Sequence, residues 1–85
     1  MTSTQAITLY GTSACHLCDQ AEKMLLDLLA ARPCWQYLKV DISESDRLFE
    51  RYGLVIPVLA LQDGRELRWP FGAGALAEFL DQGQQ

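Results

Sequence analysis

Cys15 and Cys18 stand three positions apart in the stretch GTSACHLCDQAEKML, residues 11–25. Two thiols at that spacing support two kinds of chemistry. A metal would take them as half of a ligand set. A redox protein would use them as a reversible dithiol/disulfide pair. A zinc site usually takes a second pair at similar spacing. Beyond the pair, this chain offers only His16 and Cys34, with no second C-x-x-C and no H-x-x-x-H. Haem attachment would need a histidine at position 19, where Asp19 stands. A C-x-x-C at a strand-to-helix turn within a β-α-β unit favours redox chemistry over a metal.

If the pair opens a helix, Cys15 sits at or near its N-cap and Cys18 one turn later. The first-turn N–H groups have no intrahelical partners and point at the Cys15 sulfur. The helix dipole adds partial positive charge there. Both favour thiolate over thiol, and the thiolate is the nucleophile. Leu17 and Cys18 share the inward stripe of the helix, so Cys18 is expected to be the more buried sulfur. That asymmetry suits an attacking Cys15 and a resolving Cys18, the two candidate catalytic residues.

The elements that must position the pair follow from periodicity and punctuation. Residues 6–10 (AITLY) read as a strand broken by Gly11, Thr12 and Ser13. From 15 to 31 the pattern is helical, with Leu17, Cys18, Ala21, Met24, Leu25, Leu28 and Leu29 on one face and Leu26 off it. Pro33 stops this helix. Residues 35–41 (WQYLKVD) read as a second strand. Ser43 reads as an N-cap with Asp46 three residues on. Leu48, Phe49 and Tyr52 then form the apolar face of a short helix ended by Gly53. Residues 58–61 (VLAL) suit a strand covered on both faces. Asp63-Gly64 signals a hairpin into residues 66–69, with Leu67 and Trp69 on one face. A last helix over 73–82 turns Leu76, Phe79 and Leu80 inward, and Gly83 ends it. The order β-α-β-α-β-β-α predicts an α/β domain in which parallel crossovers are joined by one antiparallel edge. The result is a four-stranded mixed sheet with helices on both faces. The chain reads as one domain over 1–85, frayed at 1–5 and 83–85.

Composition narrows the function. The 85 residues are 49% hydrophobic, enough for one small core without disulfide staples. Three cysteines argue against a secreted disulfide framework. The N-terminus MTSTQAITLYG lacks the features of a signal peptide. No apolar run approaches the ~20 residues of a membrane helix. A cytoplasmic protein without membrane contact is expected. The net charge is −4, and the seven basic residues are scattered among eleven acids, so nucleic acid is not an expected partner.

The stretch ITLYGTSACHLCDQAEKML together with LVIPVLAL resembles the glutaredoxin branch of the thioredoxin-fold superfamily. It is most similar to small glutaredoxin-like proteins with a C-H-L-C type motif. The resemblance spans residues 6–82 and implies a thioredoxin fold and thiol–disulfide oxidoreductase activity. In that family the proline matching Pro57 is cis and faces the cysteine pair. The backbone of the preceding residue, here Ile56, pairs with an incoming substrate through its N–H and C=O. Ile56, Pro57 and His16 are therefore the expected substrate-binding residues. The departures are Thr12 where a basic residue is common and His16-Leu17 where Pro-Tyr is common. In FGAGALAE, Gly72 and Gly74 are present without the polar or acidic side chain that grips glutathione.

No bound cofactor and no metal ligand are expected. The expected partners are protein or small-molecule disulfides, with glutathione or thioredoxin reductase as candidate reductants, acting on a monomer. Two readings from other classes remain: a thioredoxin-fold module holding a metal or iron–sulfur cluster between subunits through Cys15, and an adaptor without turnover. His16 either tunes the Cys15 thiolate or is a solvated helix residue. Asp19 and Glu22 read as first-turn acids, Tyr10 as a strand-end core aromatic, and Trp69 and Phe71 as packing for the last helix. Cys34 reads as a semi-buried thiol, and Arg47 and Arg51 as a solvated face.

Overall fold

The computed structural model describes residues 5–82. Its elements are β1 (Gln5–Gly11), α1 (His16–Leu29), β2 (Trp35–Asp41), a one-turn 3₁₀ helix (Ile42–Glu44), α2 (Asp46–Tyr52), β3 (Val58–Leu61), β4 (Glu66–Arg68) and α3 (Ala73–Gln82). Gln5, expected at a frayed end, begins β1, and its N–H donates to the Cys34 carbonyl at 3.0 Å. The frayed tails at 1–4 and 83–85, and the helix end at Gly83, lie outside the described residues.

The four strands form one mixed sheet in the order β2-β1-β3-β4. β1 and β2 are parallel, from Gln5 opposite Trp35 to Gly11 opposite Asp41. Such a connection needs a crossover, and α1 supplies it. The expectation of further parallel crossovers fails at β3, which runs antiparallel to β1 from Ile7 opposite Leu61 to Tyr10 opposite Val58. The reason is length. The seven residues of α2 span roughly 10 Å at ~1.5 Å per residue, too little to carry the chain back along the sheet. β3 therefore starts from the end at which β2 finished. The β3–β4 hairpin turns at Gly64, whose φ of +94° is the left-handed conformation that glycine adopts without a steric cost.

The sheet separates two clusters. On one face Ile7, Leu9, Leu59 and Leu61 pack with Ala21 and Leu25 of α1 and Leu76 and Leu80 of α3. Burying each of these leucines is worth about 1.5–3 kcal/mol. Leu67, Trp69 and Phe79 pack against the same cluster, as their spacing predicts. On the other face Ile42, Tyr52 and Val58 form a smaller cluster with Tyr10 and Leu48 around it. The Tyr10 and Tyr52 rings stack at 4.4 Å.

Four local expectations are corrected. Ser43 is not the cap of α2: its N–H and hydroxyl both donate to Asp41 Oδ1, at 2.9 and 2.7 Å, inside the 3₁₀ turn. Ser45 takes over the cap and accepts from Leu48 N–H at 3.3 Å. Phe49 is 55% exposed, because Leu48 and Tyr52 define the buried line of α2 and Phe49 lies ~100° off it. Leu17 is 42% exposed for the same reason: Cys18, Ala21 and Leu25 define the buried line of α1, one residue round from it. Gly53 is needed for space and not for handedness. Its φ is −55°, and a β-carbon there would stand 2.5 Å from the Phe49 carbonyl oxygen.

Candidate functional site

The site is built at the end of the sheet where β1 finishes. Residues 12–15 carry the chain from β1 into α1 through a turn closed by Cys15 N–H donating to the Thr12 carbonyl at 3.3 Å. Cys15 is the N-cap of α1, with φ −94° and ψ 108°. Its carbonyl accepts Asp19 N–H at 3.2 Å, and its sulfur accepts Cys18 N–H at 3.0 Å. A cysteine sulfur thus does what a serine or aspartate oxygen does at an ordinary cap.

Cys15 and Cys18 form a disulfide with their Cα atoms 5.1 Å apart. The two sulfurs have different surroundings. Cys15 is half-buried, and Cys18 is 3% exposed. Cys18 lies against Gly11, the last residue of β1, where a β-carbon would stand 2.7 Å from its sulfur. Gly11 is a site residue that its reading as a strand breaker misses. Its place at the end of the strand, four residues before the first cysteine, is the one available signal.

Gly11 also ties the cysteine pair to Pro57. It stands opposite Asp41 in β2. On its other side, Tyr10 opposite Val58 sets the register, so the next antiparallel step brings Gly11 alongside Pro57. The Ile56–Pro57 peptide bond is cis, as is Trp69–Pro70, and Pro57 is fully buried. The backbone of Ile56 departs from expectation. Its N–H is not free but donates to the Tyr52 carbonyl at 3.1 Å, because the end of α2 runs directly into this segment. The Ile56 N–H is therefore not available to pair with another strand.

His16 is exposed, and its Nε2 lies 3.0 Å from the Gln20 side-chain nitrogen one turn along the helix. Glu22 is not a simple first-turn acid. It accepts from the Tyr37 hydroxyl at 2.6 Å and from Lys39 Nζ at 3.2 Å, fastening α1 to β2. The Tyr37 hydrogen bond, with help from Lys39, holds the Glu22 carboxyl below the usual carboxylate range against the opposing effect of burial. Burial, then the hydrogen bond to Glu22 and its charge, push the Tyr37 phenol well up. The Ser43 hydroxyl and N–H hold the Asp41 carboxyl below its ordinary value.

On the other side of the smaller cluster, the Tyr52 hydroxyl donates to Glu66 at 2.5 Å. Arg51 pairs with Glu66 at 3.7 Å and lies over the Tyr52 ring, while Arg47 is exposed. Trp69 and Phe71 meet edge to face at 5.0 Å within the main core. Cys34 is a half-buried thiol packed against the same core.

A pocket of about 600 Å³ opens beside the pair, walled by Gly11, Cys18, Lys39, Asp41, Glu44 and Leu48 among others. Among the described residues, no group of three or more His, Cys, Asp or Glu side chains is placed to hold a metal ion. Nor is any described helix long and apolar enough to cross a membrane.

A disulfide at a helix cap, on a thioredoxin-like fold, suggests redox chemistry. The comparisons agree on the fold. No curated protein sequence matches the chain. The X-ray structure of the structural genomics target protein XcR50 from X. campestris is similar, with 42% identity and a TM-score of 0.79 over 89% of this chain and 96% of that one. Thioredoxin O2 from Arabidopsis thaliana in its oxidized state shares 20% identity and a TM-score of 0.71 over 98% of this chain and 77% of that one. Thioredoxin 2 from Pseudomonas aeruginosa PAO1 in its reduced form shares 24% identity and a TM-score of 0.73 over 94% and 79%. The last two likenesses establish the thioredoxin fold. The profile of the Glutaredoxin-like domain (DUF836) matches residues 6–81, from the first strand to the last helix and across both cysteines, and the chain belongs to that family.

Proposed function

We propose that this chain is a thiol–disulfide oxidoreductase. The Cys15 thiolate attacks one sulfur of a substrate disulfide and expels the other as thiolate, leaving a mixed disulfide on Cys15. The Cys18 thiolate then attacks the Cys15 sulfur, releases the second substrate thiolate and closes the Cys15–Cys18 disulfide. An external dithiol or two thiols reopen it. The substrate loses one disulfide, and the pair carries the two electrons.

The observation that carries this reading is the asymmetry of the pair. Cys15 is half-buried at a helix cap, and its sulfur accepts an N–H at 3.0 Å. Cys18 is 3% exposed behind it. A stabilised thiolate within reach of solvent suits attack, and a sheltered neighbour suits resolution. The half-buried Ile56, held in place by the buried Pro57 that follows it, offers its carbonyl to substrate in this reading, and His16 lies between the two cysteines in sequence.

The substrates in this reading are protein or small-molecule disulfides, met by a monomer in a reducing cytosol, and the chemistry needs no bound cofactor. Glutathione is a weak match as the dedicated reductant. The first turn of α3 has no acidic residue, and nothing fills the space beside Gly72 and Gly74. The test is reduction of a peptide disulfide, assayed separately with glutathione/glutathione reductase and with thioredoxin reductase. Turnover in at least one system, abolished by Cys15→Ser, is expected. No turnover in either with the thiols intact would overturn the reading, and bound iron or zinc on purification would favour a metal-holding module.

A further inference from the structure

The arginines of this acidic chain are put to different uses. Arg32 donates to Asp81 and to the Leu28 carbonyl, and Arg65 donates to Asp63 and to the Gln82 carbonyl. Arg47 and Arg51 stand one turn apart on α2, and Arg68 stands on β4, on the same face as Glu66 and opposite to the core-facing Leu67. Among the described residues, none of these three donates a hydrogen bond. Arg51 and Arg68 reach Glu66 only at 3.7 and 3.8 Å, beyond hydrogen-bond distance. Glu66 instead accepts the Tyr52 hydroxyl at 2.5 Å.

A pocket of about 550 Å³ opens at this place, between α2 and the β3–β4 hairpin, with Arg47, Arg51 and Glu66 on its walls. Asp63, beside the lining Gly64, is neutralised by Arg65 at 2.7 Å. Asp46 and Glu50 share α2 but neither pair with Arg47 or Arg51 nor line the pocket. Three guanidiniums against the Glu66 carboxylate leave a local excess of two positive charges, in a chain whose net charge is −4.

The walls select an occupant. Arg51 is held over the Tyr52 ring at 5.3 Å from its centroid, and that ring stacks on Tyr10. A guanidinium so placed still presents its fork of donors, which phosphate and carboxylate oxygens match two at a time. A phosphomonoester is a dianion above its second pKa of about 6, which matches the excess charge. The pocket is of small-molecule size, ~300–1,000 Å³ in general, with room for more than the phosphate alone. Leu48 and Ala60 supply the apolar part of the wall.

We propose that this pocket binds a small phosphomonoester, with its phosphate between Arg47 and Arg51 and its apolar body on Leu48 and Ala60. Arg68 adds positive charge from the adjoining strand. Neither cysteine lines the pocket, so the site is independent of the redox reading.

The test follows the backbone amide NMR signals of the isotope-labelled full chain at constant ionic strength and about pH 8, where the ester is a dianion. Three probes are titrated: phenyl phosphate, inorganic phosphate and benzenesulfonate. Inorganic phosphate carries the charge without the ring, and benzenesulfonate carries the ring with a single charge. Saturable shifts at Arg51, Gln62 and Gly64 are expected, with phenyl phosphate bound more tightly than either of the others. Arg47→Gln and Arg51→Gln, both at exposed positions, should each weaken phenyl phosphate binding by about fivefold, the effect of ~1 kcal/mol between close charges in water. Lys23→Gln removes an exposed charge from α1, on the opposite face of the sheet, and should leave the affinity unchanged. No saturable shift, equal binding of benzenesulfonate, or an equal loss in Lys23→Gln would overturn the site. Equal binding of inorganic phosphate would overturn its assignment to an ester.

Discussion

The Cys18 sulfur occupies the space that a side chain on Gly11 would need: a β-carbon at Gly11 would stand 2.7 Å from that sulfur and 3.1 Å from the Cys18 β-carbon. The end of β1 and the first turn of α1 are therefore fitted to each other at the reactive pair. Gly11→Ala must push Cys18 aside, and such overpacking costs about 1–3 kcal/mol. Urea unfolding of the oxidised and reduced forms should give a lower midpoint for the variant in both. An unchanged midpoint would mean that the sulfur has room to move, and that the contact does not fix its position.

Glu22 joins α1 to β2 through Tyr37 and Lys39. Its folded carboxyl titrates below the ordinary value of 4.5. The stability it contributes is thus complete above that pH and is lost as pH falls through the lower folded value. Tyr37→Phe removes the leading cause and should cost about 1.5 kcal/mol, the lower end for a hydrogen bond to a charged group. Thermal unfolding at neutral pH and in steps below pH 4.5 should show the variant losing less than the wild type on acidification. Parallel curves would contradict this role.

Tyr52 acts on two partners, stacking on Tyr10 at 4.4 Å and donating to Glu66 at 2.5 Å. Tyr52→Phe keeps the stack and leaves Glu66 with Arg51 and Arg68, at 3.7 and 3.8 Å. It should cost about 1 kcal/mol. A double-mutant cycle between Tyr10 and Tyr52 should return a coupling of about 0.5–1.5 kcal/mol for the stacked rings. A coupling near zero would show that α2 is held to the sheet by its aliphatic contacts alone.

The parts of this molecule that are legible in its sequence are those set by short-range rules. Pro33, the apolar period of residues 17–29 and the Asp63-Gly64 turn place α1 and the β3–β4 hairpin within a residue or two. β2 and α3 match their expected spans, Trp35–Asp41 and Ala73–Gln82. Cys15 at a helix cap follows from a glycine-broken strand running into an apolar stripe. The direction of β3 does not follow, because it depends on how far seven residues of helix can carry the chain, and not on the pattern of β3 itself. The cap shift from Ser43 to Ser45 turns on Asp41 capturing Ser43 first, a competition between near-equal local hydrogen bonds. The contact of Gly11 with Cys18 and the pocket between β2 and the pair are long-range, and only the assembled sheet brings those residues together.

The most direct test of the central claim is to locate the trapped intermediate. Cys18→Ser, in a Cys34→Ser background, is mixed with a peptide disulfide, and the product is mapped by mass spectrometry. A stable mixed disulfide between the peptide and Cys15 is the predicted result, with Cys15→Ser forming none at a comparable rate. A peptide adduct that forms readily through Cys18 in the Cys15→Ser protein, or no adduct in either variant, would contradict the account.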